Sequence, residues 1–235
     1  MSEIWAAIQA AGSLIIGFDA KLMEIVQLSL EVSLTSVFIS ALIGLPVGAG
    51  LVLLPIRGKR AAVVLLNALM GLPPVVVGLL VYLLLSRSGP FGVFGLLFTP
   101  TAMIIAQVLL ITPIIAALTR QVIHELWGEY QEQLQSLGCT RWSAIPTLLW
   151  DARFQLMTAI LAGFGRASAE VGAVMIVGGN IDHVTRVMTT AIALEVSKGD
   201  LALALGLGIV LISLSLTINA VAFILGECAK RRLGA

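Results

Sequence analysis

The stretch Leu28–Leu54 reads LSLEVSLTSVFISALIGLPVGAGLVLL, and it decides the class of fold. Its single charged residue is Glu31. A strand of a membrane β-barrel would alternate apolar and polar residues over a short segment. Here the apolar character is continuous, so a helix is expected. At a rise of about 1.5 Å per residue the stretch is roughly 40 Å long, enough to cross a hydrocarbon core of about 30 Å with some tilt. Four further stretches read the same way: Ala61–Leu85, Thr101–Leu118, Phe154–Val177 and Leu201–Leu225. The third is the shortest and draws on its flanks. The expected fold is all-α, a polytopic transmembrane helix bundle of about five spans.

Composition agrees. Of 235 residues, 59% are hydrophobic and 11% charged, and the mean hydropathy is +1.05. A soluble domain carries about 25% charged residues, so the surface of this chain is matched to a lipid bilayer. The formal net charge of +1 supplies no field to attract nucleic acid, and 6% aromatic residues leave little for base stacking. Cys139 and Cys228 share no metal-ligand or disulfide spacing. The reading therefore carries no cofactor, no metal and no catalytic residue. His124 and His183 fall in opposite loops without partners by spacing, which argues against a membrane-embedded enzyme.

Two parts are expected along the chain. Residues 1–20 form an N-terminal apolar segment, and residues 21–235 a transmembrane domain with a long loop near 120–153. Within the first part Ile4–Phe18 is short for a span; a helix lying at the membrane interface is favoured over a sixth, tilted span. Met1–Ala20 has no positive start and contains Glu3, unlike a signal peptide. Basic residues orient the rest. Arg57, Lys59, Arg60, Arg120, Arg141, Arg153, Lys230, Arg231 and Arg232 fall on one side; Lys21, Arg87, Arg186 and Lys198 fall on the other. The excess places the first side in the cytoplasm, with the N-terminus outside and the C-terminus inside.

Several polar residues fall within the spans. Arg166 and Glu170 lie in the fourth, where a charge costs about 2.5–3.5 kcal/mol on insertion scales. Four apart on a helix, they can pair. Either they form a structural ion pair between helices, or they line a translocation pathway or gate. Small residues recur at Gly165, Ala169 and Ala173 and at Ser168 and Gly172, as a tightly packed seam within one chain or between two. Ser213 with Thr217, and Ser215 with Asn219, read as back-bonded or interhelical polar contacts. Pro73 and Pro74 read as a kink in the second span, and Pro46 likewise in the first. Asp182 and His183 read as a solvated loop, with contact to an external protein as the alternative.

The long loop contains Glu129–Trp150, EYQEQLQSLGCTRWSAIPTLLW. Tyr130, Leu134 and Leu137 share one helical face, and Gly138 breaks or turns the helix before a second helical stretch. Such a helix either lies on the membrane or docks into a groove on a cytoplasmic partner. The segment resembles the docking loop of bacterial ABC importer permeases, whose pattern is Glu-Ala-Ala, three residues, Gly, nine residues, then Ile-x-Leu-Pro. Glu132 and Gly138 keep the spacing and Leu148 falls at the Ile position. Gln133 and Leu134 replace the alanines, and Trp150-Asp151 replaces Leu-Pro. Gly71-Leu-Pro-Pro-Val-Val-Val-Gly78 and the run Gly165–Asn180 are similar to molybdate and tungstate permeases, and Thr185–Ile192 is most similar to the tungstate branch.

The resemblance implies a type I ABC importer permease of a bacterial or archaeal cytoplasmic membrane, moving an oxyanion such as tungstate or molybdate. It implies a second copy of the chain as homodimer partner, a cytoplasmic ABC ATPase dimer and an extracytoplasmic oxyanion-binding protein. Glu132, Leu134, Leu137, Gly138 and Trp142 would meet the ATPase. The chain has no GxxxxGK[ST] phosphate loop, so the driving energy comes from another subunit or from an ion gradient. The alternative is an ion-coupled secondary transporter of a small anion, a class that often carries internal repeats and midplane ion ligands. Neither is evident here.

Overall fold

Long apolar runs satisfy their backbone internally, and they do so as helices. The computed structural model describes residues 20–233 apart from residue 56, with isolated positions 5, 8, 9 and 12 before them. The expected N-terminal helix of residues 1–20 therefore lies outside the described residues. The order is α1 (Ala20–Leu53), α2 (Lys59–Met70), α3 (Pro74–Leu85), a 3-10 turn (Gly92–Phe94), α4 (Pro100–Ser136), α5 (Arg141–Asp151), α6 (Arg153–Ser168), α7 (Gly172–Gly178), α8 (Met188–Lys198) and α9 (Leu201–Leu233). The described residues contain no strand. Leu22–Leu53, Pro100–Ser136 and Leu203–Ile224 are each long and apolar enough to cross a bilayer, and two bent helix pairs raise the number to five.

The bent pairs correct two expectations. The second span is not one kinked helix: α2 and α3 meet at 99°. Pro73 has an extended backbone and Pro74 is the first residue of α3, where a missing N–H costs no helical hydrogen bond. The two prolines thus end one helix and start another. The fourth span is broken as well, with α6 and α7 bent by 57°. Arg166 sits in the last turn of α6 and Glu170 in the break, so the small residues expected as one stripe are split between two helices. The amphipathic helix expected in the long loop is also not separate. It is the end of α4, whose 37 residues make it about 55 Å long, some 25 Å more than a hydrocarbon core. Gly128 within it carries only a helix-propensity cost of about 1 kcal/mol.

The bundle is organised around α1 and α4, which pack along much of their length. Gly44 and Gly48, four apart on α1, make this possible. A β-carbon at Gly44 would lie 3.0 Å from Ile115 Cγ2; one at Gly48 would run into the Ala116 carbonyl and lie 2.8 Å from Thr119 Cβ. Small residues at this spacing let helices approach closely in lipid. On the opposite flank α3 packs on α7, where a β-carbon at Gly78 would lie 2.7 Å from Ala173 Cα. Gly172 meets Val75 in the same way, at 2.9 Å, whereas Gly165 faces open space. In α9 Thr217 Oγ1 donates to Ser213 O and Asn219 Nδ2 to Ser215 O, so both polar pairs are back-bonded.

Candidate coupling loop and intramembrane joint

Helix α4 ends because Gly138 turns it. Gly138 has φ +75°; its N–H donates to Gln135 O at 3.0 Å, and the Cys139 N–H donates to Leu134 O at 2.9 Å. These are the two bonds of a Schellman cap. The next helix is capped at once. Thr140 Oγ1 accepts from the Ser143 N–H, and the Thr140 N–H donates to Ser143 Oγ at 3.0 Å, a reciprocal box that satisfies two otherwise free donors. Helix α5 then lies against the bundle, with Ala144 and Leu148 buried beside Ala49, Val52, Leu53 and Ile123. Lys59 Nζ donates to Val52 O and Arg141 Nη1 to Leu53 O. Two cations thereby satisfy the last carbonyls of α1, where the helix dipole favours them. The guanidinium of Arg153 stacks on Trp150 and Phe154, with its carbon 5.0 and 4.6 Å from the ring centroids, across the α5–α6 elbow.

This frame leaves apolar side chains in the open. Leu137 is 83% exposed, Trp142 70% and Trp150 72%. A cleft of about 360 Å³ lies between the end of α4 and α5, lined by Tyr130, Leu134, Leu137, Leu148 and Trp150 among others. The expected docking residues are not equivalent. Leu137, Gly138 and Trp142 are exposed, and Leu134 is half-buried against the core around Leu148. The carboxylate of Glu132 is exposed and forms no hydrogen bond among the described residues; only its backbone carbonyl accepts, from Ser136 Oγ. Trp150, which the sequence reading treats as a departure from the docking pattern, is one of the three bare apolar groups.

The second site is the break in the fourth span. Arg166 Nη1 donates to Glu170 Oε2 at 2.5 Å, with side chains 31% and 3% exposed. The other oxygen, Oε1, accepts the Ala173 N–H at 2.9 Å. Glu170 therefore holds both sides of the break, a basic group in the last turn of α6 and a free donor in the first turn of α7. Charge-assisted bonds of this kind are the stronger ones. Side chains from other helices reach the backbone around the break. Gln107 Nε2 on α4 donates to Ala167 O at 3.3 Å, and Thr189 Oγ1 on α8 donates to Glu170 O at 2.8 Å. Ser29 Oγ on α1 accepts the Met188 N–H at 2.8 Å.

The expected pair is thus brought together, and Gln107 and Thr189 join the break unannounced, while Ser29 holds the start of α8. Sequence spacing cannot reveal partners 60 or 159 positions away; the signal available was a glutamine within an apolar span. Asp182 and His183 are in an exposed loop, as expected of a solvated one, and each has a partner there. His183 Nδ1 lies 2.7 Å from Glu24 Oε2 on α1, and Arg186 pairs with Asp182 at 2.7 Å.

The fold is a bundle of membrane-spanning helices with a paired charge at a break in one span and an apolar-tipped loop beyond them. The chain belongs to the family of binding-protein-dependent transport system inner membrane components, whose model matches residues 37–234. It is 41% identical to the tungstate uptake system permease protein TupB of Peptoclostridium acidaminophilum, over 97% of this chain and all of that one. It is 40% identical to the protein of the same name from Campylobacter jejuni, over 61% of this chain and 60% of the other. The sulfate transport system permease protein CysT of Escherichia coli is 29% identical over 72% of this chain and 65% of its own length. The chain is accordingly a permease subunit and not an enzyme.

Proposed function

We propose that the chain forms half of a homodimeric pathway importing an oxyanion, tungstate or molybdate. An extracytoplasmic binding protein delivers the anion, and a cytoplasmic ATPase dimer docks on the loop from Leu137 to Trp150. Likeness along the whole length of a tungstate permease supports the substrate class. The observation that carries the coupling role is the rigid presentation of Leu137, Trp142 and Trp150. Large apolar groups held bare on a doubly capped turn, as Leu137 and Trp142 are, and at the far end of the helix it starts, as Trp150 is, have the character of interface anchors. Gly138 sets the direction of the turn, and the half-buried Leu134 transmits displacement of the loop into the core around Ile123 and Leu148. Arg166 and Glu170 act as the pin of a gating joint in the fourth span.

Leu137→Asp and Trp142→Asp test the coupling. Both residues are exposed, so insertion and folding should match wild type. Association with the ATPase, measured by co-purification, should fall at least tenfold, and hydrolysis stimulated by loaded binding protein should be lost. Wild-type association and stimulation in both variants would remove the loop from the coupling path.

In this reading the loop end lies in the cytoplasm and Asp182–Arg186 outside, supported by the excess of basic residues on the loop side. Cysteines introduced at positions 88 and 230, in a background lacking Cys139 and Cys228, should respond oppositely to an impermeant thiol reagent. Position 88 reacts from outside and position 230 does not; the reverse pattern overturns the assignment.

A further inference from the structure

The connection from α3 to α4 is apolar throughout its length after Arg87, which is the only charged residue between Arg60 and Arg120. On α4 the uncharged run Pro100–Thr119 is about 30 Å long, the thickness of a hydrocarbon core. With Arg120 at one edge of the core, Pro100 lies at the other. Helix α3 ends at the same level, since Val81 and Leu85 share one buried cluster with Ala102 and Ala106. The connection therefore leaves and rejoins the bundle at the membrane boundary opposite the long loop. It does not extend away into water. The Phe91 N–H donates to Leu84 O at 3.0 Å and folds the chain back beside the last turn of α3; the Phe98 N–H donates to Val177 O at 3.0 Å and pins the far end to α7. β-Carbons at Gly89 and Gly92 would collide with the Leu83 and Ser86 carbonyls, so these two glycines permit the close return.

The turn so formed presents apolar side chains, with Phe91 48% exposed, Val93 96% and Phe94 68%. Its backbone has little need of water, because the N–H groups of Gly89, Gly92, Phe94 and Gly95 each donate to the carbonyl three residues earlier. Non-helical backbone at membrane depth persists only where its polar groups are paired, and Phe and Val are favoured in hydrocarbon. A surface that meets another protein carries a polar rim; here the one charged group, Arg87, stands at the base of the turn. We propose that the turn Phe91–Phe94 is a membrane anchor, inserted into the lipid leaflet opposite the long loop. The exposed Leu80, Leu83 and Leu84 of α3 continue into it as one apolar surface, and Arg87 is placed to meet headgroup phosphates. The anchor fixes the end of α3, the helix on which α7 packs beyond the break in the fourth span, and so holds one side of that joint at constant depth. The placement is the same whichever compartment the long loop faces.

Spin labelling of the full chain in nanodiscs of palmitoyloleoylphosphatidylcholine tests this. In a background lacking Cys139 and Cys228, a nitroxide is attached after Val93→Cys, with Leu80→Cys as the hydrocarbon reference and Ser88→Cys as the water reference; all three positions are exposed. Molecular oxygen partitions into lipid and a nickel chelate into water, so power saturation with each reports the surroundings of the label. The label at position 93 should collide with oxygen several-fold more than with the nickel chelate, as at position 80, and the label at position 88 should show the reverse. Phe94→Cys gives a second reading of the same turn if Val93→Cys does not fold. A label at position 93 that behaves like the one at position 88 would put the turn in water and overturn the anchor. A label that neither reagent reaches would mean that a protein surface covers the turn, and would overturn it as well.

Discussion

Arg166→Met is expected to destabilise the chain by about 3–5 kcal/mol, because it strands a buried carboxylate inside the membrane. The burial is asymmetric: Glu170 is almost fully enclosed, while Arg166 is about one-third exposed. Glu170 would keep its bond from the Ala173 N–H, but nothing else balances the charge. The double variant Arg166→Met with Glu170→Gln should recover most of the loss. A glutamine oxygen still accepts from Ala173, and no charge is left unpaired. Thermal stability by fluorescence-detected size exclusion measures both. A double variant no more stable than Arg166→Met would show that the stranded carboxylate is not the source of the loss. Transport by the assembled double variant should persist. If it assembles normally yet does not transport, Arg166 acts on the anion itself rather than as the pin of the joint.

Gly48→Leu is expected to abolish assembly of the bundle. A β-carbon alone would collide with the Ala116 carbonyl and crowd Thr119, and these are backbone and packed atoms of the central helix, with little room to yield. Overpacking a closed site costs about 1–3 kcal/mol for modest additions. Gly48→Ala should fall in that range, and leucine should exceed what the fold tolerates. Gly50→Ala is the internal control. Its nearest neighbour would be Leu54 Cδ1 at 3.6 Å, an ordinary contact, so the gain in helix propensity of up to about 1 kcal/mol should show. Opposite signs for these two alanines in one helix would locate the α1–α4 contact. The same sign for both would place that contact elsewhere on α1.

The coupling loop shows how much can be read along a chain and where reading stops. Glycine at position 138 is a local signal for a turn, and the left-handed turn forms there; the Thr140–Ser143 capping box that starts the next helix is equally local but is no part of that expectation. Which of Leu134 and Leu137 is available to a partner is not local. They share a helical face, yet Leu134 leans on the core around Leu148, while Leu137 extends beyond it. Trp150 is bare for a similar reason: the packing of α5 on α1 buries the face carrying Ala144 and Leu148 and turns the other outward.

The membrane helices divide in the same way. Continuous apolar runs specify helices wherever backbone groups cannot reach water, so the all-α class, α1, the core of α4 and α9 follow from sequence alone. The pairing of Arg166 with Glu170 follows too, because four residues apart is a helical neighbour. Whether a proline bends a span or divides it was decided only in the assembled chain. Pro73-Pro74 frees backbone groups in any case, but a turn of 99° persists because α3 finds α7 at Gly78 and Ala173. The break at Glu170 was likewise invisible. Gln107 and Thr189 reach the carbonyls of Ala167 and Glu170 there, and partners that distant in sequence come together only after the helices have packed.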